Sequence, residues 1–229
     1  MTKGIPSYYL SRPQFDLNTK KQAAFDDLWQ SATKGGFIDF RLPYPKWQFL
    51  SYLCDSHELV LHGSQKRDIE VVEPRQANDK RSYSNQNAIY ATTDGIWVTY
   101  FAIIDRMGHP GLSLFNACFQ INLAKQQMSE PYYFFSISVE FRKQNPWCQG
   151  CVYILPRQNF SHEEAQLAQG VEVIFPHWIS TLPAKPVAKL IVGPADFPFL
   201  DQIHGHDDQK LVDLYTANPD AFPAEALES

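Results

Sequence analysis

The chain predicts an α+β fold, with helices first and then a mainly β domain built around one central helix. Three features carry that prediction. Apolar residues recur at helical spacing before residue 56. Beyond Gly108-His109-Pro110-Gly111 the texture changes to short runs rich in aromatic and β-branched residues, which favour strands. Between them, Glu58 to Arg106 reads as strand, polar loop, strand and helix.

The first stretch, Met1 to Phe15, holds Pro6 and Pro13 and reads as an extended arm. From Leu17, the residues Ala24, Phe25, Leu28, Trp29 and Ala32 form one helical stripe that Gly35-Gly36 closes. Pro45 opens a second helix with Trp47, Leu50 and Cys54 on one face. Too short to hold a core of their own, the two helices are expected as a cap on the sheet. Residues 1–55 therefore form an arm and helical cap, 56–205 the main domain, and 206–229 a C-terminal helix and tail.

Leu59-Val60-Leu61 reads as a buried strand, and Gln65 to Asn87 as a long polar loop of the kind that is often functional. Ala88 to Ala91 is the next strand. Thr93 or Asp94 caps a helix whose Ile96, Trp97, Tyr100, Phe101 and Ile104 share a side. Further strands are expected at Ala117 to Leu123, Tyr132 to Phe141, Cys151 to Leu155, Val171 to Phe175 and Val187 to Val192. Ser161 to Leu167 has a capping-box pattern and predicts a short helix. A last helix is expected around Leu211 to Tyr215.

The 229 residues are 44% hydrophobic and 20% charged, enough apolar material for a full core. A net charge of -5 gives no electrostatic reason for nonspecific nucleic-acid binding. The first residues, Met1 to Ser7, carry no signal-peptide pattern and no apolar run is long enough to span a membrane, so a cytoplasmic protein with no membrane partner and reduced thiols is expected. Cys148-x-x-Cys151 lacks two further ligands at zinc spacing, and no metal site is expected. His204-Gly-His206-Asp207-Asp208 reads as a polar helix start. Walker, Gly-x-Gly-x-x-Gly and Gly-x-Ser-x-Gly patterns do not occur.

His62 and Tyr90 leave consecutive predicted strands beside small residues. An imidazole there can hydrogen-bond a ribose or phosphate, and a phenol ring can stack on a base. The same residues also fit a strand-end histidine and a core aromatic. Leu61-His62-Gly63-Ser64, followed by a polar loop and Ile89-Tyr90-Ala91-Thr92 opening a helix, resembles the first two signature segments of the ADP-ribosyltransferase superfamily in its poly- and mono-ADP-ribosyltransferase branch. The resemblance implies a split β-sheet core and NAD as the substrate bound. It implies that His62, Gly63 and Ser64 hold the nicotinamide and its ribose and that Tyr90 stacks on the nicotinamide.

The family's third segment brings a glutamate from a late strand. Here Pro176-His177-Trp178-Ile179-Ser180 takes that place, so His177 stands at or near the catalytic position, with Glu172 five residues earlier as the other candidate. An imidazole can hydrogen-bond a hydroxyl but does not by itself supply a fixed negative charge. The activity implied is cleavage of the nicotinamide–ribose bond and transfer of ADP-ribose to a protein or nucleic-acid acceptor. The alternatives are an inactive nucleotide- or protein-binding module of the same fold, and an RNA 2′-phosphotransferase-like enzyme. In the last, Arg75, Lys80 and Arg81 of the polar loop would meet phosphate; Arg75, stiffened by Pro74, is the foremost.

Overall fold

The computed structural model describes residues 5–32, 34–76, 86–123, 127–168, 170–218 and 221–228. In chain order the elements are β1 (Leu10–Ser11), α1 (Thr19–Ser31), α2 (Lys46–Ser56), β2 (Leu59–Ser64), β3 (Arg75–Gln76), β4 (Asn87–Thr92) and α3 (Gly95–Ile103). There follow β5 (Leu114–Leu123), β6 (Gln127–Met128), β7 (Tyr132–Ser138), α4 (Val139–Arg142), β8 (Gly150–Pro156), β9 (Ser161–His162) and β10 (Gln166–Ala168). The last are β11 (Val171–Ile174), β12 (His177–Ser180), β13 (Ala188–Val192), β14 (His204–His206) and α5 (Asp208–Ala217). Helix and strand are both abundant, and the strands form two sheets, as an α+β fold requires.

One sheet runs β1-β7-β5-β11-β10, with β6 on β5 and β14 on β7. The other runs β13-β8-β2-β4-β12-β9, with β3 on β4. Strand pairs are antiparallel except β14 against β7. Side chains alternate across each strand, so the second sheet has two apolar faces. Leu61, Val152, Ile154, Leu190 and Val192 join α2 and α3 in the main core. Val60, Ile89, Ala91, Cys151, Tyr153 and Leu155 form a second cluster on the reverse face. Strand β8 feeds both, which is why it reads as a continuous apolar run.

Helix α3 is buried nearly all round and is the element on which both sheets lean. Its N-terminus is fixed by Asp94, whose Oδ1 accepts from the backbone N–H of Ile96 and Trp97 and whose Oδ2 accepts from the Tyr133 hydroxyl at 2.7 Å. The strand-to-helix approach is close enough to need glycine: a Cβ on Gly63 would stand 2.5 Å from the Val98 carbonyl oxygen.

Both N-terminal helices donate to the main core. Phe25 of α1 is fully buried, and α2 is buried from Trp47 to Cys54. The second helix is thus an interior element that packs on α3 and on β2 of the sheet. It starts at Lys46 with Pro45 as its cap residue, one position later than expected.

Three other expectations are corrected. Ser161 to Leu167 is not a helix; it supplies β9 and β10 on the edges of the two sheets. With β11 and β12 they make a long hairpin whose base pairs Ile179 with Ser161 and whose tip pairs Ala168 with Val171. From 162 to 166 the chain takes four steps while its partner takes five, from 178 to 173, so the return strand bulges around Pro176. Proline has no N–H to give a ladder, and a bulge is where it is tolerated. The strand beginning at Tyr132 ends at Ser138 rather than Phe141 and turns into α4. His204 to His206 forms β14, and Asp207 caps α5.

Candidate functional site

Strands β2 and β4 pair at one position, Leu61 with Thr92, and part beyond it. His62 stands at the start of the gap. Its Nδ1 lies 2.8 Å from the Tyr90 carbonyl oxygen. A carbonyl only accepts, so Nδ1 carries the proton. Burial pulls the imidazole below the usual histidine range, and the positive charge of Arg75 lowers it further, against the raising effect of the Tyr90 carbonyl. The ring is therefore neutral at pH 7 and Nε2 presents a lone pair. Among the described residues nothing donates to that nitrogen.

Strand alternation separates the two expected side chains. His62 lies directly across from Tyr153 of β8, with rings 6.4 Å apart, on the face of the second cluster. Tyr90 lies between Ile89 and Ala91, which belong to that cluster, and so leaves the opposite face. Its ring sits 5.6 Å from His177, and His177 sits 5.7 Å from Trp97 of α3. The Tyr90 hydroxyl donates to the Gln86 carbonyl at 3.0 Å and accepts from the Gln86 N–H at 2.8 Å, which fixes the ring. His62 and Tyr90 are thus joined through a backbone carbonyl rather than as two facing walls.

Gly63 faces α3 with no room for a side chain. Ser64 ends β2 opposite Cys151, and its Oγ accepts from the Lys66 N–H at 3.2 Å. Arg75 is exposed at the start of β3, paired with Ala88 of β4, and its field reaches His62. Lys80 and Arg81 lie outside the described residues.

His177 opens β12 opposite Thr92, so the structure does bring it beside Tyr90. It does not bring Glu172 there. That carboxylate is on β11 of the other sheet, exposed, accepting from Asn122 Nδ2 at 2.5 Å. The carboxylate at His177 is instead Glu163, 4% exposed, with Oε2 3.0 Å from His177 Nδ1. Its Oε1 accepts from Gln166 Nε2 at 2.8 Å, and its N–H donates to the His177 carbonyl at 2.9 Å. Glu163 went unrecognised because it sits in a polar run, Ser161 to Gln166, which resembles a solvated helix start. Only the hairpin register carries it to His177.

The arrangement offers a hydroxyl-binding acceptor at His62 Nε2 on one face of β4 and, on the other, an aromatic and imidazole shelf of Tyr90, His177 and Trp97 backed by a buried carboxylate, with the exposed Arg75 close enough for its charge to reach His62. Among the described residues, no three His, Cys, Asp or Glu side chains come together as a metal-ligating group, and no helix is long and apolar enough to cross a membrane. All four cysteines are free, with burial pushing the thiols up, Cys151 to about 11. No protein-family model, curated protein or solved structure matches the chain.

Proposed function

We propose that the chain is an NAD-binding, ADP-ribosyltransferase-like protein that cleaves the nicotinamide–ribose bond and passes ADP-ribose to a protein or nucleic-acid acceptor. The observation that supports this best is His62: a neutral ring, its Nδ1–H tied to the Tyr90 carbonyl, its Nε2 left to accept from a ribose hydroxyl at the gap between parting strands. Arg75, exposed on β3, then meets a phosphate of the dinucleotide; stacking of the nicotinamide on Tyr90, which leaves the opposite face of β4, requires the ring to enter the gap where β2 and β4 part. As nicotinamide leaves, positive charge grows on the ribose; His177, held by the Glu163 carboxylate, relays negative potential towards it.

A specific observation favours a second reading, an inactive nucleotide-binding module. Both Glu163 oxygens are engaged within the chain, by His177 and Gln166, and Glu172 is on the other sheet. Calorimetry with NAD and chromatography for free nicotinamide separate the outcomes. The wild type binds NAD, and His62→Ala binds it about three- to tenfold more weakly, the worth of one neutral hydrogen bond. Release of nicotinamide supports the transferase, and binding without release supports the module. No binding by the wild type at millimolar NAD sinks both.

A further inference from the structure

A cavity of about 270 Å3 lies where the N-terminal arm, α2, the start of α3 and the segment after β6 converge, and none of the proposed NAD contacts lines it. Arg12 of the arm reaches it with a side chain 14% exposed. The guanidinium carbon stands 5.1 Å from the ring centre of Phe15 and 5.4 Å from that of Trp47. Its Nε and Nη2 are buried and bond nothing. Those two nitrogens form one edge of the guanidinium, the fork that takes both oxygens of a carboxylate or phosphate. The nearest carboxylate, Glu130, approaches only the other nitrogen, Nη1, at 3.8 Å, beyond hydrogen-bonding distance.

The acids around the cavity divide into two kinds. Asp94 is already satisfied by two backbone N–H groups and the Tyr133 hydroxyl. Asp55 and Glu130 stand exposed at the rim. The protein packed around one side of the Asp55 carboxyl raises it, Arg12 lowers it, and Asp94 and Glu130 raise it again, as expected of negative charges crowded together. The cavity thus opposes one underused cation to two rim carboxylates. Its volume is below the roughly 300–1,000 Å3 of pockets for drug-sized ligands.

We propose that this cavity is a binding site for a free α-amino acid or a zwitterion of that size, its carboxylate taken by Arg12 and its ammonium by Asp55 and Glu130. Both nitrogens of that edge are buried. Binding in this way requires the guanidinium to turn on the Phe15 and Trp47 rings so that the edge meets the ligand's carboxylate. A simple anion would gain Arg12 but meet the rim acids; a simple cation would leave the fork unpaired.

The inference does not rest on the NAD reading. It is tested on the full chain by titration calorimetry with single α-amino acids, their N-acetyl and α-amide derivatives, and inorganic phosphate. At least one free amino acid is expected to bind, with both single-charge derivatives about tenfold weaker or more. Arg12→Gln should weaken the free amino acid by a similar factor. Should that variant fail to fold, Asp55→Asn at the exposed rim decides instead: it is expected to weaken the free amino acid but not its N-acetyl derivative. Absence of binding by every free amino acid up to about 10 mM overturns the proposal. So does phosphate or an N-acetyl derivative binding as well as the free amino acid, which would make this a plain anion site.

Discussion

Gly63→Ala separates the packing role of the His-Gly-Ser segment from its proposed contact with NAD. An added Cβ would lie 2.5 Å from the Val98 carbonyl oxygen and 3.0 Å from the Ala102 backbone nitrogen, where ordinary contact begins at 3.4 Å. The nearest obstacles belong to helix backbone, which has no rotamer to change. Relief therefore means moving α3 away from β2 by nearly an ångström, and α3 is buried against β2, β4, β8, β13 and α2. Overpacking of this kind costs about 1–3 kcal/mol, and in a chain of this size each kcal/mol lowers Tm by roughly 2–4 °C. Urea and thermal unfolding followed by circular dichroism measure both. A variant within about 0.5 kcal/mol of wild type would refute the claim that helix packing requires this glycine. Loss of NAD binding in such a stable variant would assign Gly63 to the ligand instead.

Two further outcomes follow from buried polar groups. Tyr133→Phe removes the hydroxyl that donates to Asp94 Oδ2, leaving a buried carboxylate one donor short; urea unfolding should show a loss of about 1.5–3 kcal/mol, and a loss below about 0.5 would mean the bond contributes little. His206 is fully buried between Ser113 and Ser136, with Asp208 3.0 Å from Nε2. Burial lowers its pKa, against the raising effect of Asp208 and Asp207. Below about pH 6.5 the unfolded chain takes up a proton that the folded chain refuses, so stability present above that pH falls as the pH drops towards the folded value. His206→Gln should flatten the stability profile between about pH 5 and 6.5 in urea melts, and an unchanged slope would remove His206 as a source of acid sensitivity.

Local chemistry made much of the fold legible. The Asp94 cap, the interior stripe of α2 and the apolar run of β8 are each written in a dozen residues or fewer, because the interactions that fix them are short in sequence. Ser161 to Leu167 departs from its local signal for the opposite reason. Its capping-box pattern is a local helix signal, but the segment lies opposite Glu172 to Ile179, and pairing across two sheets outweighed it. The site divides in the same way. His62, Tyr90 and His177 were visible as residue types beside predicted strands, and they do sit on adjacent strands β2, β4 and β12. That His62 and Tyr90 leave opposite faces follows from register, which no single strand reveals. Glu163 and Arg12 were missed because an acid in a polar run and an arginine in an arm look like solvated surface.

The groups proposed to act lie where the β ladders stop. Inside a ladder each N–H and C=O is spoken for, so a regular strand has no backbone polarity to lend a ligand or a side chain. His62 stands one residue past the single Leu61–Thr92 pair, and the carbonyl it binds is one that the parting strands leave exposed to it. His177 follows the Pro176 bulge, and Glu163 stands opposite it on the shorter side of the hairpin. Arg12 follows a strand of only two residues. The Pro176 step also joins the two regions, since its carbonyl accepts from Thr93 N–H at 3.1 Å, Pro176 and Thr93 line the Arg12 cavity, and their neighbours His177 and Thr92 pair beside Tyr90. Helix α3, which packs on both sheets, starts at this junction with Asp94 as its cap, so the proposed groups surround the place where the interrupted ladders meet the helix.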